Sequence, residues 1–455
     1  LKTLQQRIMF RLEFSLNRYL LKATLVGALG GLLFGFDTAV IAGTTEQLTA
    51  VFHLTPFTLG LTVFIGLVGT VIGALFSGVL GQKIGGREAL RIMAILYTLS
   101  ALGCAFAWNW DVLMVARFVG GLGIGGSSVL GPVYLAELAP AKWRGRMVGM
   151  FQINIVIGIL VAYLSNFIIT TQHLGPLQWR WEFGVAIVPS MLFLALLYGI
   201  PRSSRWLVTT NQTEEAQQVL ELMGSPNSKA ELQEIIDSIH LERGAAQEPL
   251  FNGRYSKPIF LAITIGLFNQ LSGINAILYY SNYIFASAGF GSNSAALQTV
   301  GIGVVNLLAT FLGMSLIDKL GRKTLLLIGA LGMAAALLGV AVIFYTHAHQ
   351  ALLVWLLVMF IIFFAISQGS VIWVYIAEVF PSRVRSKGQS VGSSSHWIMN
   401  ALIAGAFPII ASHSKAAPFA FFAAMMLLQF FVVLMFYPET KGRSLEEIQA
   451  QLGLN

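Results

Sequence analysis

YLAELAPAKWRG, from Tyr134 to Gly145, returns as YIAEVFPSRVRS, from Tyr375 to Ser386, 241 positions later. GQKIGGREAL at 81–90 matches IDKLGRKTLL at 317–326, 236 positions on. PRSSRWL at 201–207 matches PETKGRSL at 438–445, 237 positions on. Three landmarks at nearly one spacing describe a chain built from two parallel repeats. Parallel repeats are a transporter architecture, with the substrate held at mid-membrane between the halves.

The sequence between the landmarks is apolar. Twelve segments can each cross a hydrocarbon core of about 30 Å as a helix: 20–44, 58–80, 89–108, 111–136, 147–170, 181–201, 257–286, 296–317, 324–346, 351–378, 388–411 and 416–437. The whole chain is 56% hydrophobic and 11% charged, with mean hydropathy +0.75. Soluble domains are about 25% charged. No run of alternating strands suggests a barrel. The fold expected is an all-α membrane protein of two pseudo-symmetric six-helix bundles. The expected division is 1–201, a helical linker at 202–256, 257–437, and a tail at 438–455.

The net charge of +8 belongs to topology. Lys2, Arg7, Arg11, Arg18 and Lys22 lead into the first segment, and the even-numbered loops collect the other basic clusters. The odd-numbered loops hold little more than Arg180 and Lys415. By the positive-inside rule both termini and the linker are cytoplasmic. No nucleic-acid partner is needed to explain the basicity. In the linker, TEEAQQVLELMG and SKAELQEIIDSIH read as short helices opened by a Thr or Ser cap. Nothing near Leu1 reads as a cleavable secretion signal. Cys104 is the one cysteine and reads as a small buried apolar residue. The seven histidines lack the spacing of a metal site. Neither cofactor nor metal is expected, nor any enzymatic centre.

GGLLFGFDTAVIAG, from Gly30 to Gly43, puts Asp37 in the middle of an apolar span. That costs roughly 2.5–3.5 kcal/mol on insertion scales. Arg117, in MVARFVGG, is the one base within a span away from its cytoplasmic end. Asp37 is therefore expected to face Arg117. Arginine nearby favours the carboxylate, and withdrawal from water favours the neutral acid. A conformational change that separates the pair would thus move a proton. The bland alternative is a fixed ion pair that sets helix packing.

GGLLFGFDTAV, RFVGGLGIGGSS, PVYLAELAPAKWRG, WRWEF, NQLSGIN, DKLGRKTL, YIAEVFPSRVR and PETKG, in this order, resemble the sugar porter family of the major facilitator superfamily. The resemblance runs from about residue 20 to 450. It implies a monosaccharide carrier working by alternating access. An acid at position 37 resembles the proton-coupled symporters of the family, such as bacterial xylose and hexose symporters. The alternative is a facilitative uniporter that keeps Asp37 for structure. A sugar sensor, a membrane enzyme and a drug antiporter fit the motifs less well.

The resemblance also implies a sugar site. Amides donate and accept without charge, and indoles cover the C–H face of a ring. The residues are Gln152, Gln270, Asn275, Asn306, Trp373, His396 and Asn400, with Asn269, Phe34 and Trp397 around them. Asn269 and His396 stand where relatives carry longer amides or other amides. Gly273 permits a helix break. Tyr279 and Tyr280 resemble the outer gate. Release requires weak binding, about 0.1–1 mM or roughly −4 to −5.5 kcal/mol. A cytoplasmic gate is expected from Glu137, Arg87, Arg144, Glu378, Arg322, Arg385 and Asp318. Gln82, Gly86 and Arg202 replace the family's charged residues there. These departures predict a less stable outward-facing state. The expected setting is a bacterial inner membrane, with sugar, proton and lipid as partners of a monomer.

Overall fold

The computed structural model describes residues 18–138, 144–225, 227–244, 249–251, 253–381, 383–443 and 445–454; the side chains of 18–21, 144–148, 241–244 and 445–446 lie outside the description. Among the described residues the chain is helical, with twelve helices long and apolar enough to cross a membrane. Spans one to six are Lys22–Phe52, Pro56–Ile84, Gly86–Ala105, Trp110–Leu138, Gly149–Thr170 and Gly175–Leu197. Spans seven to twelve are Ser256–Tyr279, Ser292–Leu320, Arg322–Thr346, Leu352–Val379, Arg385–His413 and Ala417–Phe436. The linker and the last helix share one side of the bundle, called here the linker side. The other is the far side.

Local chemistry sets the ends. Thr55 and Thr58 form a reciprocal capping box before span two, with Pro56 in its first turn. Spans two and eight both stop at a glycine, Gly85 at φ +90° and Gly321 at φ +91°. A side chain at either place would strain the backbone. The two stops are one repeat apart, so the pseudo-symmetry extends to backbone conformation.

Within the first half, small residues let backbones touch. A Cβ on Gly35 would lie 1.8 Å from the carbonyl oxygen of Ile155, and one on Gly121 would lie 1.9 Å from that of Gly66. Span one thereby packs on span five, and span two on span four.

Three spans are broken. Span six begins with a 3-10 turn, Gly175–Leu177, then splits into Gln178–Gly184 and Ile187–Leu197. Span ten breaks at Ser367. Span seven breaks after Leu271, where Gly273 adopts φ +82° to start Ile274–Tyr279. That break frees backbone and polar side chains at mid-membrane, a tolerated event where they line a cavity.

The buried apolar residues sort into three clusters. The largest joins both halves on the far side: Val40, Leu59 and Tyr163 from the first, with Leu278, Tyr280 and Phe407 from the second. On the linker side the halves have separate cores. One holds Leu90, Tyr134 and Leu197, and the other Leu325, Tyr375 and Val433. The core is fused on the far side and split on the linker side.

The linker is not one unit. Leu207, Ala216, Val219 and Ile239 are buried in the first half's core. Leu250 and Tyr255 are buried in the second half's, beside Ile448 and Leu452 of the tail helix Leu445–Leu452. Arg254 Nη2 donates to the carbonyl of Leu454 at 2.7 Å. The expected Thr and Ser caps need correction. Thr213 is the first residue of its helix, and Gln212 before it makes no side-chain cap. The next helix is capped by Asn227, whose Oδ1 accepts from the Ala230 amide at 3.3 Å. A third helix, Ser204–Thr209, is capped by Ser203. Its six residues carry too little periodicity to be read from sequence.

Candidate functional site

Arg117 Nη1 lies 3.4 Å from each carboxylate oxygen of Asp37. Gly120, one turn along span four, has no side chain to hold spans one and three away. Charge-assisted hydrogen bonds usually run about 2.7–2.9 Å, and a guanidinium usually grips with two nitrogens. Here one nitrogen straddles both oxygens at long range. The Arg117 side chain is 6% exposed and that of Asp37 18%, so the acid is the more accessible member of the pair. Beside it lies a cavity of about 10 Å³ lined by Tyr97, Ser100, Cys104, Phe183, Ala186 and Ser190. That is room for about one water molecule. Cys104 is buried there as a free thiol.

A second polar group gathers at the break in span seven. Gln270 Nε2 donates to Asn269 Oδ1 at 3.1 Å and lies 3.2 Å from His396 Nε2. Gln270 Oε1 accepts from Asn275 Nδ2 at 3.0 Å. His396 has Trp373 5.2 Å away and Trp397 5.0 Å away, between ring centroids. Trp397 reaches across to Phe34 of the first half at 5.7 Å. Trp373 is 38% exposed although it touches the buried His396, so part of its ring is free to cover a ligand. Asn269 also reaches back to the Gln368 carbonyl at 3.5 Å. It supports Gln270 from behind.

Asn400 Nδ2 donates to the Tyr279 hydroxyl at 3.1 Å, and Asn400 Oδ1 has no partner. Asn306 is buried and Gln152 half-buried. Neither side chain makes a hydrogen bond among the described residues, so both amides are available.

The far side of this group is shut. Tyr280 is fully buried, stacks on Phe407 with centroids 5.1 Å apart, and donates to the Ala404 carbonyl at 2.9 Å. Tyr163 donates to the Leu278 carbonyl across the halves at 2.8 Å. A Cβ on Gly60 of span two would lie 2.1 Å from the carbonyl oxygen of Gly405 in span eleven.

A profile described as "Sugar (and other) transporter" matches residues 23–452. The chain belongs to the sugar porter family. The D-xylose-proton symporter of Escherichia coli K12 is 34% identical over 95% of this chain and 96% of its own. The glucose transporter GlcP of Staphylococcus epidermidis is 36% identical over 96% and 97%. The inward-open conformation of the E. coli xylose transporter XylE superposes with a TM-score of 0.85 at 34% identity, covering 95% of this chain and 100% of that one. This is therefore a multi-pass plasma-membrane transporter of the major facilitator superfamily.

The sugar porter's charge sets lie on the linker side. In the second half Arg322 bonds Glu378 at 2.9 Å and Asp318 at 3.0 Å. Glu439 accepts from the amides of Arg322 and Lys323 at 2.9 and 3.0 Å, an acid seated on a helix N-terminus. The first half reaches a similar end with other residues. Glu88 takes Arg87 at 2.6 Å, Arg91 at 2.5 Å and Arg202 at 3.6 Å. Thus Arg202, at the repeat position of Glu439, meets Glu88 on span three. Glu137, without an arginine at position 86, is hydrogen-bonded by Ser203. The pairs of Glu88 and Arg322 stay within their own half. Arg385 donates to the Phe380 carbonyl at 3.4 Å. Arg144 opens the fifth helix, and its side chain lies outside the described residues.

Two acidic residues carry no clear signal in the sequence. Glu88 has no counterpart in the other repeat, where Thr324 stands 236 positions on. Glu182, in WRWEF, was hidden at a span boundary. The signal for it was an acid inside a run of aromatic and apolar residues.

Proposed function

We propose that the protein imports a monosaccharide with a proton across a bacterial inner membrane by alternating access. The observation that carries the reading is the long, single-nitrogen contact of Arg117 with Asp37, a buried pair near the cleft wall. A tight fork would favour a permanent structural pair, whereas a loose one is poised to part. The names of the xylose and glucose relatives support a hexose or pentose as substrate. The excess of lysine and arginine on the linker side supports a cytoplasmic linker and cytoplasmic termini. With that orientation the split core faces inward, and Tyr279 and Tyr280 lie at the closed outer gate.

In this reading Gln270, Asn275, Asn306 and His396 of the second half hold the sugar, with Trp373 over its ring. Phe34 and Gln152 supply the wall from the first half. The Asp37 carboxylate takes its proton when the cleft faces out and loses it when Arg117 closes in.

The test is purified protein in liposomes containing a pH dye, challenged from outside with glucose, xylose, galactose and fructose. Acidification driven by one sugar is expected. Sugar entry with no proton movement overturns the reading in favour of a uniporter. Gln270→Ala removes about two hydrogen bonds of roughly 1 kcal/mol each. Sugar binding, followed by tryptophan fluorescence, is expected to weaken by roughly 10- to 30-fold. Unchanged affinity would remove Gln270 from the site.

A further inference from the structure

Glu182 has no part in the reading above, yet it is 0% exposed. It sits in Gln178–Gly184, the far-side piece of span six. Gln178 Nε2 donates to its Oε1 at 2.8 Å and also to Thr170 Oγ1 at 3.0 Å. Its Oε2 is buried without a partner, and so is Oδ1 of Asn166, one turn before Thr170. A carboxylate withdrawn from water, with only the neutral Gln178 and Thr170 side chains as donors, has little to hold a charge. A proton on Oε2 converts that atom from an unpaired acceptor to a donor. An acid in the membrane interior is a functional candidate by default.

We infer that Glu182 is a second proton-carrying carboxylate, placed outward of Asp37 and passing protons to it from the far side. The inference rests on the symport reading. Phe183 and Ala186, the next residue and the next turn, both line the one-water cavity beside Asp37. Glu182 thus directly precedes one cavity-lining residue on the far-side piece of span six, and stands four residues before the other, which lies at the break.

Spans one, three and five pack against this helix. Their ionisable groups toward the far side are Asp37 and Glu46, Tyr97 and Cys104, and Tyr163. Arg117 of span four lies behind Phe183, 5.7 Å from its ring. Arg180 turns away to the Ala105 carbonyl and the Trp179 ring. His53 and His173 sit in turns beyond the helix ends. Among the described residues none of these pairs with Glu182.

In the step itself, with the far side open, a proton from outside water adds to Oε2. Glu182 then gives it, through water admitted past Phe183 to the cavity, to the Asp37 carboxylate and is ready for the next. Only O–H bonds form and break.

Glu182→Gln keeps the shape and the Gln178 contact but cannot pass a proton. Sugar-driven proton entry at neutral external pH is expected to slow at least roughly tenfold, since a positioned acid–base group contributes 10²–10⁴-fold. Sugar exchange without a proton gradient is expected to stay near the parental rate, and Glu182→Asp to restore part of the proton rate. Parental proton entry in Glu182→Gln overturns the inference. An equal loss of exchange and proton entry also overturns it, because the role is then structural. A parent protein that moves sugar without protons overturns the symport reading and this inference together.

Discussion

Asp37→Asn protein is expected to exchange labelled sugar across a liposome at close to the parental rate and to admit no protons with it. The amide has the shape of the carboxylic acid and can accept from Arg117, but it has no charge state to change. It mimics the protonated form permanently. Removing the acid entirely, as in Asp37→Ala, leaves Arg117 buried without a partner, a loss that runs to about 3–5 kcal/mol for buried pairs. The long 3.4 Å contact argues that the cost here lies at the low end. The comparison of Asn with Ala separates proton transfer from packing. Should Asp37→Asn still acidify the liposome with sugar, the proton travels elsewhere and the pair is structural.

Gly60→Leu is expected to leave sugar binding in place and to lower net transport by about 10- to 100-fold. The closed far side requires the backbones of spans two and eleven to meet, and a Cβ on Gly60 would stand 2.1 Å from the Gly405 carbonyl oxygen. Backbone atoms in two long helices cannot step aside as a side-chain tip can. Overpacking of this kind costs about 1–3 kcal/mol, and that cost falls only on the state with the far side closed. The equilibrium shifts accordingly toward an open far side. A cysteine placed near Tyr283, probed with an impermeant reagent, is expected to react faster in the variant. Gly291→Leu is the control, since nothing lies within 4 Å of a Cβ there. Normal transport by Gly60→Leu would mean that the seam can spread without losing its seal.

The sequence carried the spans because length and apolarity are local properties, and each expected segment overlaps a span in the structure. It also singled out Asp37 and Arg117, because a charge in an apolar run stands out by contrast. It carried the break in span six only as Gly184 and Pro189, which flank Val185–Ala186. It did not carry the break in span ten at Ser367, beside the buried Gln368–Gln429 contact at 2.5 Å. Arg202 looked like a lost charge because its compensation is Glu88, more than a hundred residues away. Which side of the cleft is open was beyond reach, since one sequence must stabilise both states.

Because the linker helices are buried in the first half's core and the tail helix in the second's, each rides with a different body. Gln218 and Ala450 are exposed on these two helices. Cys104, the one native thiol, is buried. Cysteines introduced at 218 and 450 can therefore carry a pair of fluorophores with little competing label. Their separation follows the angle between the bodies, at a site where neither sugar nor proton passes. Two short helices at the surface become a gauge of which way the cleft faces.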